Sequence, residues 1–432
     1  MPENPLLSPA GWSSGNSLPH FGTVNSPAPS LRRNTALLLV GNAVALAAPL
    51  ITVPYLARVL GPTGWAPVLL AQALAAWLVM VMEFGFDLSG TRSLARARRD
   101  SVERASVVHG VTSAKLLLVP VATGVLLVAF ALTPDLRNTS LLWWTLAYVL
   151  LRGLNPFWFF QGMERVGAAV LVDSGARLAA ALAVFAFVRG PADAARVLAL
   201  QAIGALIATL VLTVWMARDT AFALPNMARG IATLREGLTL FAFRAASGGF
   251  AALNIFVVSL LGTPALVAVF GGADRIIRAG IGTLNPLTQA ILPRVSFLRA
   301  TNPTAADQLV IRSLLVTGAL GVAIGLGAFF GAPLLVQLLL GPGYESAIPL
   351  LRILALLPPL VAIDTVFGLH WAVPHGHDRP FLATMLMAGS LNLVLAVVLL
   401  PRFGAEGVSA AVVLAECGGM LALATLWRRH TT

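Results

Sequence analysis

Apolar residues run along this chain in long blocks, and polar residues gather in the gaps between them. The blocks are about 20 residues long and do not alternate, which suits membrane-crossing helices and not barrel strands. Twelve spans are predicted, over 34–57, 66–89, 107–132, 140–162, 167–188, 194–216, 238–261, 264–291, 307–331, 346–371, 380–400 and 405–427. Turn residues mark hairpins between them: Gly61-Pro62, Thr133-Pro134, Gly190-Pro191, Gly262-Thr263-Pro264 and Gly341-Pro342-Gly343. Six spans precede a basic stretch at 217–237 and six follow it. The expected fold is all-α, a polytopic membrane protein with 12 transmembrane helices in two pseudo-symmetric six-helix lobes. The N-terminal lobe covers 31–217, a cytoplasmic linker 218–237 and the C-terminal lobe 238–432. Residues 1–30, rich in Ser, Pro, Gly and Asn, read as a disordered cytoplasmic tail. They lack the apolar core of a signal peptide.

The halves also parallel each other in wording. VPYLARVLGPTGWAPVLLAQAL in the first matches VVSLLGTPALVAVFGGADRI in the second, each placing a Gly/Pro hairpin between the first two spans of its half. LLWWTLAYVLLRGLNP likewise matches ESAIPLLRILALLPPL. Repeats of this kind characterise transporters.

Composition makes the membrane obligatory. Hydrophobic residues make up 58% of the chain and charged residues 11%, with mean hydropathy +0.85. A soluble domain is about 25% charged, so lipid must serve as solvent here, and only helices or a closed barrel span lipid. The net charge of +11 comes from 28 Arg and one Lys, Lys115. Most arginines lie in short segments between spans, which reads as topogenic charge and not as a nucleic-acid surface. With the N-terminus inside, inner segments hold sixteen arginines, Arg92, Arg96, Arg98, Arg99 and Arg104 among them, and outer segments hold five. That bias follows the positive-inside rule and makes both termini cytoplasmic. The single cysteine, Cys417, lies in a span and forms no intrachain disulfide or thiol metal site. His375 and His377 read as solvated loop residues, so no metal is expected. No Walker-type loop is present, so no ATP hydrolysis is expected.

Charges inside the spans are costly, about 2.5–3.5 kcal/mol at a helix centre. Lys115 and Arg312 lie near cytoplasmic ends and are expected to snorkel. Asp173 and Arg177 are spaced for a local pair, as are Asp274 and Arg278, which leaves Arg275 over. Arg152, Arg244 and Arg352 have no acid three or four residues away. Unpaired intramembrane arginine suits an anion in a watery cavity, because its planar fork donates two hydrogen bonds to phosphate oxygens. Arg152, Arg244, Arg275 and Arg352 are therefore the candidate substrate-binding residues. The competing reading gives each an interhelical ion pair with Asp364, Glu416, Asp173 or Glu83. Glu83, Asp87 and Arg92 form a separate cluster, expected to clamp a cytoplasmic gate or cap the bundle. Asp364 and Glu416 are deep acids, either protonation sites for ion coupling or satisfied structural groups. Pro49, Pro54, Pro156, Pro286, Pro293 and the Pro358-Pro359 pair are expected to bend or break their helices.

Three ordered motifs carry a family resemblance. PLITVPYLARVLGP at 49–62 with GFDLSGTR at 85–92, NPFWFFQGMER at 155–165, and the stretch ending QAILPRVS at 289–296 resemble Wzx-type polysaccharide flippases of the multidrug/oligosaccharidyl-lipid/polysaccharide exporter superfamily. One departure is Gly64-Trp65-Ala66-Pro67, where relatives carry a G-x-x-x-F/Y-G pattern. The resemblance covers nearly all of 31–427. It implies a two-lobed bundle in the bacterial inner membrane that opens alternately to each face. The implied cargo is an oligosaccharide on undecaprenyl pyrophosphate, moved to the periplasmic leaflet for O-antigen or exopolysaccharide synthesis. It also implies proton or cation coupling without a bound cofactor. Membrane lipids, a polysaccharide polymerase and a chain-length regulator are the expected partners. The alternatives are a cation-coupled drug exporter of the same superfamily, whose cavity should favour acids over arginines, a membrane polysaccharide polymerase, which generally needs a larger aqueous loop or a carboxylate or His site, and a scaffold for polysaccharide assembly. The expected function is transport without covalent chemistry.

Overall fold

The computed structural model describes residues 31–133, 139–220, 224–245 and 250–431, so the predicted tail at 1–30 lies outside the described residues. The first half comprises α1 (Leu31–Glu83), α2 (Ser89–Arg96), α3 (Ser101–Leu132), α4 (Thr139–Leu154), α5 (Phe157–Gly162), α6 (Val166–Phe187) and α7 (Ala194–Asp219). The second comprises α8 (Met227–Arg244), α9 (Phe250–Leu261), α10 (Pro264–Gly282), α11 (Asn285–Thr301), α12 (Pro303–Leu339), α13 (Ala347–Leu354), α14 (Leu357–Thr365) and α15 (Asp378–Thr431). One predicted hairpin, and the predicted gap between the last two spans, appear as kinks inside single long helices. Gly61, at φ 63, bends α1 just before Pro62, and Gly404, at φ 59, bends α15.

Seven stretches of the described residues are long and apolar enough to cross a membrane, among them Ile51–Glu83, Ser101–Leu132 and Pro303–Leu339. Helix α12 shows why they need lipid. Its buried residues Val310, Ser313, Thr317, Gly321, Gly325, Ala328, Ala332 and Val336 recur every three or four positions and form one stripe. These mostly small side chains let α12 pack closely on α14. The rest of the surface is apolar and outward, with Leu315 68% and Phe330 75% exposed. So broad an apolar face would drive aggregation in water; in a bilayer it meets the solvent it matches.

Several predicted spans are broken. The span at 140–162 stops at Leu154 and resumes at Phe157, around Pro156. The span at 264–291 divides before Pro286, and the one at 346–371 divides before Pro358-Pro359 and ends in a π-helical turn, Val366–Ala372. Each break follows from the hydrogen bond that proline cannot donate and the clash of its ring with the preceding turn. Pro54 and Pro293, expected to act likewise, sit within continuous helix. The span at 66–89 ends at Glu83, and α2 is a separate short helix. The segment 218–237 is largely structured. Helix α8 begins at Met227, buries Gly230 and Gly237 and packs along α3.

The α4 break corrects the expectation for Lys115. This side chain does not snorkel. It is 4% exposed and donates to the carbonyls of Gly153 (2.7 Å) and Asn155 (3.1 Å). Those carbonyls belong to the end of α4, where the helix dipole is negative and intrahelical partners run out. Asn155 completes the joint. Its Oδ1 accepts from Phe157 N (3.0 Å) and its Nδ2 donates to Thr209 Oγ1 (3.3 Å), which itself donates to the carbonyl of Leu151 (2.8 Å). The NPFWFFQG motif is thus a broken helix whose free polar groups are met by side chains from α3 and α7.

His375 and His377 are also not simply solvated. Both rings lie against Trp371, at 5.2 and 5.4 Å, and His375 Nδ1 lies 2.7 Å from the carbonyl of Trp371. Burial holds the His375 imidazole below the usual histidine value. At neutral pH, Asp307 is therefore answered by Arg299 at 3.6 Å and not by a charged His375.

Candidate functional site

Helix α1 packs on α4 and α6 of its own half and on α9 and α10 of the other. This places a cavity of about 420 Å³ between the halves. One wall carries Tyr148 and Arg152 from α4 and Asp173 and Arg177 from α6. The facing wall carries Arg275 and Arg278 from α10, and α1 contributes Gln72. Among the described residues the lining therefore holds four arginines and one carboxylate.

The arginines are organised by two acids. Asp173, buried, accepts from Arg152 on α4 and from Arg177 one turn along α6 (3.0 Å). Asp274, also buried, accepts from Arg278 at 2.7 Å. Arg275 donates to Gln72 Oε1 at 2.5 Å and lies over the Trp65 ring at 5.9 Å. The expectation that Arg152 is unpaired is corrected, because its acid sits 21 residues away on another helix. Arg177 and Arg278 were set aside as partners in local pairs, yet both line the cavity. Their i, i+4 acids were legible; the side of the helix pair that faces the cavity was not.

Arg244 and Arg352 lie elsewhere. Arg244 bridges Glu83 (3.1 Å) and Asp87, joining the end of α8 to the end of α1. Beside it Phe84 stacks on Phe241, with centroids 4.4 Å apart and planes 6° from parallel. The chain turns there through Phe84 at φ 46 and Gly85 at φ 73. A side chain at Gly85 would meet Phe241 N at 3.2 Å, so the turn needs glycine for both conformation and room. A non-glycine residue at positive φ stores strain and is concentrated at switch regions. Arg92 is exposed on α2, and the bridge is made by Arg244, Glu83 and Asp87 without it. Arg352 is exposed on α13 and lies over Phe329 at 5.8 Å, outside the cavity lining.

The opposite end is closed by contacts to backbone carbonyls. Arg58 donates to the carbonyls of Gln337 (3.1 Å) and Leu338 (2.5 Å) at the C-terminus of α12. Tyr344 Oη donates to the carbonyl of Ala57 (3.3 Å) and meets Trp65 edge-on at 5.9 Å. The two halves are thus tied at both ends of the cavity. Asp364 on α14 and Glu416 on α15 lie within electrostatic reach of each other, and Glu416 lies within electrostatic reach of Arg278.

Residues 31–299 match the family model described as polysaccharide biosynthesis protein. A protein of Escherichia coli assigned as an O-antigen transporter is 30% identical over 395 residues, covering 90% of this chain and 94% of that one. A Shigella dysenteriae protein of the same assignment is 26% identical over 396 residues, covering 89% and 97%. Among solved structures, the lipid II flippase MurJ in an inward closed conformation superposes with a TM-score of 0.73 at 12% identity, covering 91% of this chain and 87% of that one. An inward-facing multidrug transporter of the MATE family superposes with a TM-score of 0.70 at 16% identity, covering 92% and 97%. At these identities the superpositions speak for the fold alone.

Proposed function

Since the chain belongs to the polysaccharide biosynthesis protein family, as a membrane-embedded Wzx-type flippase and not an enzyme, we propose that it moves an oligosaccharide on undecaprenyl pyrophosphate between leaflets. The observation that carries this cargo is the cavity lining, four arginines against one carboxylate. A pyrophosphate is the anionic part of such a lipid, and arginine forks match phosphate oxygens two at a time. A cavity for cationic drugs would need the opposite sign, which disfavours the drug exporter. In this reading Arg152 and Arg275 contact the pyrophosphate, joined by Arg177 and Arg278. Arg244 is withdrawn from that set, because Glu83 and Asp87 engage it, and Arg352 is withdrawn because it lies outside the cavity.

The protein works in this reading as twelve helices in two lobes, in the bacterial inner membrane, with both termini cytoplasmic. The arginine-rich end is then the cytoplasmic end. Glu83, Asp87 and Arg244 form its gate, and alternating access requires that this bridge and the Arg58 contacts break in turn. Asp364 and Glu416 are the candidate proton-coupling pair in this reading, because two neighbouring carboxyls deep in a membrane can share a proton. Polymerase and chain-length regulator remain the expected partners downstream.

The test is reconstitution. Vesicles containing the protein should expose an inner-leaflet lipid-linked oligosaccharide to an impermeant glycosidase, and protein-free vesicles should not. Ethidium export without lipid exposure would replace this reading with the drug exporter. The gate makes its own prediction. Arg244→Ala should free the cytoplasmic end, with an expected bias of about 1–2 kcal/mol, or 5–30-fold in population. In a Cys417→Ala background, a cysteine at Ala208 on the cavity wall should then react correspondingly faster with a membrane-impermeant thiol reagent added from the cytoplasmic side. An unchanged rate would remove Arg244 from the gate.

A further inference from the structure

The cavity's charges do not balance, and the surplus is divided between the two walls. On the α4/α6 wall, Arg152 and Arg177 share the single carboxylate Asp173, which leaves one positive charge. On the α10 wall, Arg278 pairs directly with Asp274, while Arg275 beside it makes its direct contacts with the amide oxygen of Gln72 and the face of Trp65. Among the described residues, each wall therefore carries one more guanidinium than the carboxylate in direct contact with it.

We propose that Gln72 is a stand-in for a phosphoryl oxygen of the cargo, and so a residue that sets which anionic lipid the cavity accepts. The inference rests on the lipid-linked cargo reading above. A diphosphate diester carries one negative charge on each of two adjacent phosphoryl groups, which matches one surplus guanidinium per wall. Gln72 offers Arg275 an oxygen acceptor without a charge. A phosphoryl group brings a full opposite charge and can take two parallel hydrogen bonds from the guanidinium fork, where the amide oxygen brings only a dipole, so an arriving phosphoryl oxygen displaces the amide. A carboxylate at this position would satisfy Arg275 permanently and exclude the cargo. The amide also has a mechanical role. Gln72 belongs to α1 and Arg275 to α10, so their bond ties the two halves across the cavity. Cargo takes over that tie, with one phosphoryl group on each wall.

The test uses the purified full chain and two probes, an undecaprenyl-diphosphate-linked monosaccharide and its monophosphate-linked counterpart. Affinities are read from ligand-dependent melting. Wild-type protein should bind the diphosphate at least about tenfold more tightly than the monophosphate, the scale of one lost charge-assisted contact. Gln72→Glu should weaken diphosphate binding by at least about tenfold while raising the melting temperature of the ligand-free protein, since the new carboxylate pairs with Arg275. Gln72→Ala should bind the diphosphate as tightly as wild type or more so, because the competitor for Arg275 is gone. Gln72→Glu that binds like wild type, or Gln72→Ala that loses as much as Gln72→Glu, overturns the role of Gln72 while the cargo reading stands. Wild-type protein that binds neither lipid overturns the cargo reading and this inference with it.

Discussion

Arg275→Ala is expected to cut translocation of the lipid-linked cargo by about 10–100-fold while the protein still folds in the membrane. A hydrogen bond to a charged group contributes about 1.5–3 kcal/mol, and Arg275 has no carboxylate that its removal would strand. Its present acceptor is the neutral Gln72. Arg152→Ala should behave similarly, because Asp173 keeps Arg177 as a partner at 3.0 Å. Arg278→Ala should fail differently. It leaves the buried carboxylate of Asp274 without its guanidinium, and an uncompensated buried charge costs about 3–5 kcal/mol. That variant should lose stability before it loses binding. Arg352→Ala should transport like wild type, since Arg352 lies outside the cavity. Parallel measurements of vesicle transport and of melting temperature in detergent separate these outcomes. Full transport by both Arg275→Ala and Arg152→Ala would sink the anion cavity.

Lys115→Met is expected to be among the most destabilising single changes in the chain. It strands the carbonyls of Gly153 and Asn155 at a helix end that no water reaches. Each unsatisfied buried polar group costs about 1–3 kcal/mol, so a loss of about 2–5 kcal/mol is expected. The readout is the midpoint of unfolding in detergent, together with membrane-inserted yield. Lys115→Arg should recover part of the loss, because guanidinium also donates to carbonyls. Arg312→Met, at the other residue expected to snorkel, should cost far less, because Arg312 is exposed. Equal effects at the two sites would refute the helix-end role of Lys115.

Apolar blocks, Gly/Pro hairpins and the arginine bias are one-dimensional signals with known periods, so helices could be placed and a transporter expected from them. The local pairs Asp173–Arg177 and Asp274–Arg278 were legible because an i, i+4 spacing fixes proximity on any helix. Arg152 with Asp173, and Arg244 with Glu83 and Asp87, were not legible as specific pairs. Their partners are 21, 161 and 157 residues away, and spacing along the chain says nothing about which helices touch. Lys115 and Arg312 looked alike for the same reason, since depth along a helix was visible and the side it faces was not. The Gln72–Arg275 contact left no signal at all. A neutral glutamine in an apolar span is chemically unremarkable until an arginine from the other half reaches it.

By itself the sequence determined the solvent, the helical class and the sign of the chemistry. A chain this apolar must use lipid, lipid permits only self-satisfied backbone, and arginines inside the spans without a local acid lean towards an anion. The tertiary structure alone decided where that charge is spent. Packing of α1 against both halves sends Arg244 to an end of the bundle and leaves Arg352 on the outer surface over Phe329, and it gathers Arg152, Arg177, Arg275 and Arg278 around one cavity. The physical reason is that a charge inside a membrane must find a partner or water, and which of these lies within reach is set by the helix across from it.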